Sequence, residues 1–154
     1  MQEMNIRFEK GINEENASIL CEWSNKKGKA FQEQWMGQKI SYPLNYDKIK
    51  ELENIFSIFN YDEFIGMVQK IRIENDNIHI GRFLLEPSKT GMGFGEEALK
   101  KFVNSIFEDE DIKSITLTVF DFNQNAKNLY DKLGFRIDEA IEFPKLKYIM
   151  RKQR

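Results

Sequence analysis

"LLEPSKTGMGFGEEALKK", residues 84–101, decides how the rest of the chain is read. An apolar, strand-like run ends in three glycines at alternate positions, Gly91, Gly93 and Gly95, and an amphipathic segment follows. Glycine disfavours regular structure, by up to ~1 kcal/mol against alanine in a helix. Three of them at the mouth of a helix indicate a chain that turns sharply and admits something close to its backbone. A strand, a bare turn and a helix start together form an anion site, because the N–H groups face outward and the helix dipole favours negative charge.

The segment after the loop is helical by its period: Phe94, Ala98, Leu99, Phe102, Val103 and Ile106 share one face. Glu96 with Lys100 and Glu97 with Lys101 stand at i,i+4 on the other. Before the loop, "NIFSIFN" (54–60), "FIGMVQKIRIE" (64–74) and "IHIGRFLLE" (78–86) read as three strands, with "NDN" (75–77) as a turn, and most simply form an antiparallel meander. Upstream, 5–9 is a short strand and Asn13 caps a helix with two acids in its first turn. "AFQEQWMG" is a short helix, and a further one restarts near Tyr46 after the break at Pro43. Downstream, "SITLTVF" (114–120) is a strand. Residues 125–133 are a helix, with Ala126, Leu129, Tyr130 and Leu133 on one stripe and Gly134 placed to end it in a left-handed cap. "FRIDEAIEFPKLKYIMRK" supplies a closing hairpin or two strands. The order β-α-α-β-β-β-α-β-α-β(-β) is α+β with a mixed sheet.

The composition excludes several classes. At 154 residues with no repeat, linker or low-complexity stretch, the chain reads as one domain, 1–154. Hydrophobic residues at 41% and charged residues at 31% read as globular. A net charge of −2 gives no reason to expect nucleic acid as a partner, and no run is apolar enough for a membrane span. Cys21 is alone, which excludes an intramolecular disulfide and a cysteine metal cluster, so no metal is expected. It reads as a core side chain in a reducing compartment, and "MQEMNIRFEK" carries charge where a signal peptide would be apolar; the expected location is the cytoplasm.

Three ligands compete for the loop. A nucleoside-triphosphate P-loop needs Lys and then Ser or Thr after its last glycine, and Glu96 and Glu97 stand there instead. A dinucleotide fingerprint wants G-x-G-x-x-G and an acid after the next strand. Asp121 meets the second demand, but only about 30 residues follow that strand, too few for a doubly wound sheet. The third is the pyrophosphate of coenzyme A. "TGMGFG" (90–95) resembles the R/Q-x-x-G-x-G/A loop of the GNAT N-acetyltransferase superfamily. "FNQNAKNLYDKLGF" (122–135) resembles its second motif, N-x-x-A-x-x-L-Y-x-x-x-G-F, with Asn123, Ala126, Leu129, Tyr130, Gly134 and Phe135 in place. The likeness covers roughly 78–135, and "EQWMG…YPL" is similar to a feature of one bacterial branch whose substrate is unassigned.

The resemblance implies a mostly antiparallel central sheet flanked by helices, and an acetyl-CoA-dependent transfer of acetyl to a primary amine by direct attack in a ternary complex. Acetyl-CoA is then a co-substrate. Lys89, Thr90, Gly91, Met92, Gly93, Phe94 and Gly95 would hold the pyrophosphate, Leu84 and Leu85 would pair with pantetheine through main-chain groups, and Asn123, Asn125 and Lys127 would reach other coenzyme atoms. Thr90 departs from the family's Arg or Gln, which removes a charge that the neighbouring Lys89 could supply. Tyr130 occupies the position of the proton donor to the departing sulfur, and it also lies on the apolar stripe of its helix. For the base, His79 has a suitable ordinary pKa of ~6.5, yet its alternation with Ile78 and Ile80 reads as a solvated strand face. Glu86 is a comparable candidate, Glu63 and Asp121 weaker ones, and a water chain is an alternative. Trp35, Tyr42 and Pro43 are the candidate acceptor residues, with Trp23 a weaker one, against a simple packing role. The acceptor is a small-molecule or protein amine, and a homodimer is allowed for. The competing reading is a non-catalytic acyl-CoA-binding or sensor domain of the same fold.

Overall fold

The computed structural model describes residues 3–154. The elements run β1 (Ile6–Lys10), α1 (Glu14–Lys26), α2 (Lys29–Met36), α3 (Tyr46–Ile49), β2 (Ile55–Asn60), β3 (Glu63–Glu74), β4 (Asn77–Leu85), a 3-10 turn (Pro87–Lys89), α4 (Phe94–Phe107), β5 (Ser114–Phe120), α5 (Gln124–Lys132), β6 (Arg136–Ile141) and β7 (Lys147–Gln153). This is the expected α+β order, with α3 at the expected restart and the closing segment resolved into two strands. The strands hydrogen-bond in the order β1-β2-β3-β4-β5-β7-β6. Pairing is antiparallel for β1–β2, β2–β3, β5–β7 and β6–β7 and parallel for β4–β5. β3 and β4 are neighbours joined only by Asn75 and Asp76, a link short enough for antiparallel strands alone.

The chain divides into two compact units, Met1–Lys70 with Arg82–Leu99, and Ile71–Gly81 with Lys100–Arg154. In the first, Asn13 caps α1 by accepting the Asn16 N–H at 2.7 Å. Ala17, Leu20 and Cys21 of α1 pack in one cluster with Met36, Leu44, Ile49, Ile55, Met67 and Leu84. Each large side chain buried in this way stabilises the fold by ~1.5–3 kcal/mol. Cys21 is the core side chain that was expected, and burial pushes its thiol up to about 11, so it is no nucleophile at neutral pH. Gly66 of β3 must be bare, because a Cβ there would collide with the Leu84 carbonyl oxygen of β4.

In the second unit, Ile115, Leu117 and Val119 of β5 are buried. The first residues of β4 pair with β5 as Asn77↔Ser114, Ile78↔Ile115 and His79↔Thr116. The sequence order would place β6 beside β5, but β7 takes that place along its whole length, from Ser114↔Gln153 to Phe120↔Lys147. Among the described residues, no helix is long and apolar enough to cross a membrane.

Candidate active site

The glycine loop belongs to the first unit. Gly91 (φ 75°) and Gly93 (φ 84°) are in the left-handed region, which explains two of the three glycines by backbone conformation alone. Gly95 has no such need: it lies inside α4, and a Cβ there would come no nearer than 3.7 Å to Leu85 Cδ1. The first helical hydrogen bond runs from the Glu97 N–H to the Gly93 carbonyl at 3.1 Å. The N–H groups of Phe94 and Gly95 precede it and have no intrahelical acceptor. Phe94 is fully buried and anchors the helix start, whereas Met92 stands exposed at the loop tip.

The two residues before the glycines are occupied within the fold. The Thr90 hydroxyl donates to the Pro87 carbonyl at 2.8 Å, tightening the 3-10 turn. The Lys89 ammonium lies 3.3 Å from Glu63 Oε1 and 5.5 Å from the centre of the Phe94 ring. Lys89 therefore ties the loop to the start of β3 instead of standing as a free replacement for the missing charge at Thr90. Glu63, a weaker candidate base, is its ion-pair partner.

At the end of β4 the Glu86 N–H donates to the Ile65 carbonyl of β3 at 2.7 Å. Strand alternation then directs the main chain of Leu84 toward β3 and that of Leu85 and Phe83 away from it. Leu84 and Leu85 were the expected pairing residues; both side chains are buried, the Leu84 carbonyl abuts Gly66, and the main-chain groups directed away from β3 are those of Phe83 and Leu85. Alternation cannot be phased from sequence until one inter-strand bond is known, which is why Phe83 did not stand out there. The half-buried Glu86 makes no side-chain hydrogen bond to the described residues.

Helix α5, in the second unit, carries the other motif. Asn123 is its cap, accepting the Ala126 N–H at 3.2 Å through Oδ1, so the amide N–H₂ is the end left for a ligand. Asn125 is exposed in the first turn. Lys127 is drawn to Asp121 at 3.2 Å and lies over the Tyr148 ring. Asp121 also accepts the Tyr148 hydroxyl at 2.8 Å, and these two donors hold its carboxyl below the usual range. That makes Asp121 a poor base.

The helix ends in a paired cap that explains the spacing of the motif. The Phe135 N–H donates to the Tyr130 carbonyl and the Gly134 N–H to the Asp131 carbonyl, both at 3.0 Å, with Gly134 at φ 98°. This is a Schellman motif, whose characteristic apolar contact joins the residues five apart that bracket it. Here that contact is Tyr130 with Phe135, rings edge-to-face at 6.2 Å, so the glycine and phenylalanine of the motif fix the tyrosine ring. The ring is half-buried and its hydroxyl makes no hydrogen bond to the described residues. Desolvation pushes the phenol up to about 12, which keeps it a donor at neutral pH.

His79 is not on a solvated face. It is 5% exposed, its Nδ1 lies 2.8 Å from Thr116 Oγ1, and its Nε2 lies 3.3 Å from Thr118 Oγ1. Asn77 Nδ2 donates to the same Thr116 hydroxyl, and Ser114 donates to Asn77 Oδ1. The polar residues of β4 and β5 thus satisfy one another. Burial, with the charge of Arg72, lowers the imidazole to about 4. Alternation with Ile78 and Ile80 misled because both faces of β4 are buried here, with Ile78 at 5%, His79 at 5% and Ile80 at 1% exposure.

The candidate acceptor residues lie in the first unit, against α1. Trp35 Nε1 donates to Ser24 Oγ at 2.8 Å and the Tyr42 hydroxyl to the Asn25 carbonyl at 3.1 Å. An open cavity of about 570 Å³ lies along α1 and α3, lined by Ser18, Cys21, Glu22, Asn25, Leu44 and Tyr46 among others, and neither Trp35 nor Tyr42 lines it. Trp23 stacks on Phe64 at 5.6 Å, a packing role.

Solved structures share this architecture. A spermidine N-acetyltransferase from Vibrio cholerae, in complex with CoA and spermine, has a TM-score of 0.78 at 16% identity, over 96% of this chain and 95% of that one. An aminoglycoside acetyltransferase in complex with coenzyme A has a TM-score of 0.73 at 20% identity, over 97% and 95%. The fold is therefore that of the N-acetyltransferases. A model of the Acetyltransferase (GNAT) family matches residues 17–135, and the chain belongs to that family. A spermine/spermidine N(1)-acetyltransferase of Bacillus subtilis is 29% identical over 70 residues. That stretch is 46% of each chain, so the match spans just under half the length of this curated relative.

Proposed function

We propose that this chain is an acetyl-CoA-dependent N-acetyltransferase acting on a primary amine. The observation that carries the reading is the glycine loop: two left-handed glycines deliver the chain into α4 with N–H groups at its mouth that have no acceptor among the described residues, as a pyrophosphate requires. Gly91, Met92, Gly93, Phe94 and Gly95 offer these groups, and Leu85 with Phe83 offers main-chain partners to pantetheine. Lys89 and Thr90 act by shaping the loop. Asn123 and Asn125 are the remaining coenzyme contacts, and Lys127 serves Asp121 first.

In the reaction the amine attacks the thioester carbonyl, the carbon–sulfur bond breaks, and the thiolate leaves. A coenzyme thiol titrates near ~8.5, so full proton transfer from a phenol at about 12 would run uphill by roughly 5 kcal/mol. Tyr130 therefore acts as a hydrogen-bond donor that stabilises the departing sulfur, and the proton released by the amine ends on the thiol. Glu86 is the base we favour, because its carboxylate is uncommitted while His79 is held at about 4. The relatives named above for spermine, spermidine and aminoglycosides agree with an amine acceptor. The test is calorimetric titration with acetyl-CoA, followed by an amine panel assayed by free-thiol release. Coenzyme binding with acetyl transfer is expected. Binding without transfer to any amine would favour the sensor reading, and no binding would refute both.

A further inference from the structure

Arg82 has no part in the chemistry above. It stands within β4 at φ 49°, in the left-handed region where a residue other than glycine is strained, and such strain gathers at functional sites. Its Nε donates to the Met36 carbonyl at the end of α2 (2.8 Å) and its Nη1 to Gln69 Oε1 of β3 (3.0 Å). Gln69 is buried and fixed in turn, its Nε2 donating to the Glu53 carbonyl at 2.8 Å. All four residues belong to the first compact unit. The guanidinium is thus half-buried and held in place by neutral acceptors.

No carboxylate among the described residues pairs with it. Burial lowers its pKa with no acidic neighbour acting against the shift. Burying a cation against neutral partners is costly, and an uncharged side chain could make the same two bonds. The two bonds it makes inside the fold do not require its charge. The N–H groups of Nη2 have no acceptor among the described residues, and a guanidinium N–H makes a strong, charge-assisted hydrogen bond to a carboxylate.

We propose that Arg82 determines acceptor specificity: the amine acetylated by this chain also carries a carboxylate, which the Arg82 guanidinium receives. This rests on the transferase reading and narrows its substrate class. It separates this chain from relatives named for polyamines, whose ammonium groups a fixed guanidinium repels.

The test compares acceptors that differ only in the carboxylate, alanine against alaninamide and 4-aminobutyrate against butylamine, with spermidine as the polycation. Wild type should favour the carboxylated member of each pair by ~10–100-fold in kcat/KM. R82Q should abolish that preference through KM, leaving kcat for the uncharged members in place, and R82K should retain part of it. Equal use of both members by wild type, preferred use of spermidine, or equal losses on both members in R82Q would overturn the proposal, the last marking a purely structural clamp. Each amine is also titrated calorimetrically into the coenzyme-free protein. If no acetyl moves, the transferase reading fails, and the titration judges Arg82 by itself. Carboxylated-amine binding that R82Q loses upholds it, and binding indifferent to the carboxylate refutes it.

Discussion

Replacing His79 with glutamine removes a titratable group from a place where the fold resists its charge. The imidazole is held at about 4 in the folded chain by burial and by Arg72, against an ordinary value of 6.5 when unfolded. The folded pKa is the lower one, so the unfolded chain takes up the proton first as pH falls. The stability that neutral His79 allows is complete above pH ~7, declines below ~6.5 and is exhausted once pH passes through ~4. The full difference is ~3 kcal/mol, of which about 2.5 kcal/mol is already lost at pH 4.5. Carboxylates begin to take up protons in the same window, so the quantity to read is the difference between the wild type and His79→Gln. Urea unfolding at pH steps from 7.5 to 4.5 supplies it. The wild type should lose ~2.5 kcal/mol more than the variant across that range, with equal m-values. Parallel curves would refute the buried, neutral histidine, as would an NMR titration placing its pKa near 6.5. The same depression denies His79 the role of base near pH 7, so no limb of the kcat/KM profile should disappear in the variant.

Three further outcomes follow from the geometry. Tyr130→Phe keeps the ring contact with Phe135 and removes a hydroxyl that bonds to none of the described residues, so stability and acetyl-CoA affinity should hold while turnover falls ~100-fold or more; unchanged turnover would remove Tyr130 from the chemistry. Gly93→Ala forces a side chain into the left-handed region and should cost ~1–2 kcal/mol in thermal or urea unfolding, whereas Gly95→Ala, with room for its methyl, should gain ~0.5–1 kcal/mol; equal effects would contradict the division of labour among the glycines. Gly66→Ala sets a methyl against the Leu84 carbonyl and should destabilise by ~1–3 kcal/mol or more, read as a lowered midpoint, and a neutral result would mean that β3 and β4 pack otherwise.

The local features of this protein are legible in its sequence because their causes are local. The apolar stripe of α4, the Asn13 cap and the left-handed stop at Gly134 each arise within a few residues, and β5 spans the very residues its alternation indicates, Ser114–Phe120. The family motifs share this property, since Gly93 and the Tyr130–Phe135 pair act through backbone conformation over one or two turns. Tertiary structure alone decided what depends on distant partners. His79 is neutral because it is buried, with Thr116 and Thr118 of β5 bonding its ring, and Lys89 is spent because Glu63, far off in sequence, lies 3.3 Å away. β7 enters between β5 and β6, and the unneutralised charge of Arg82 is evident only once Met36 and Gln69 are seen to be its neutral neighbours. Periodicity reports which way a side chain faces, whereas desolvation and charge pairing depend on what the rest of the chain places against it.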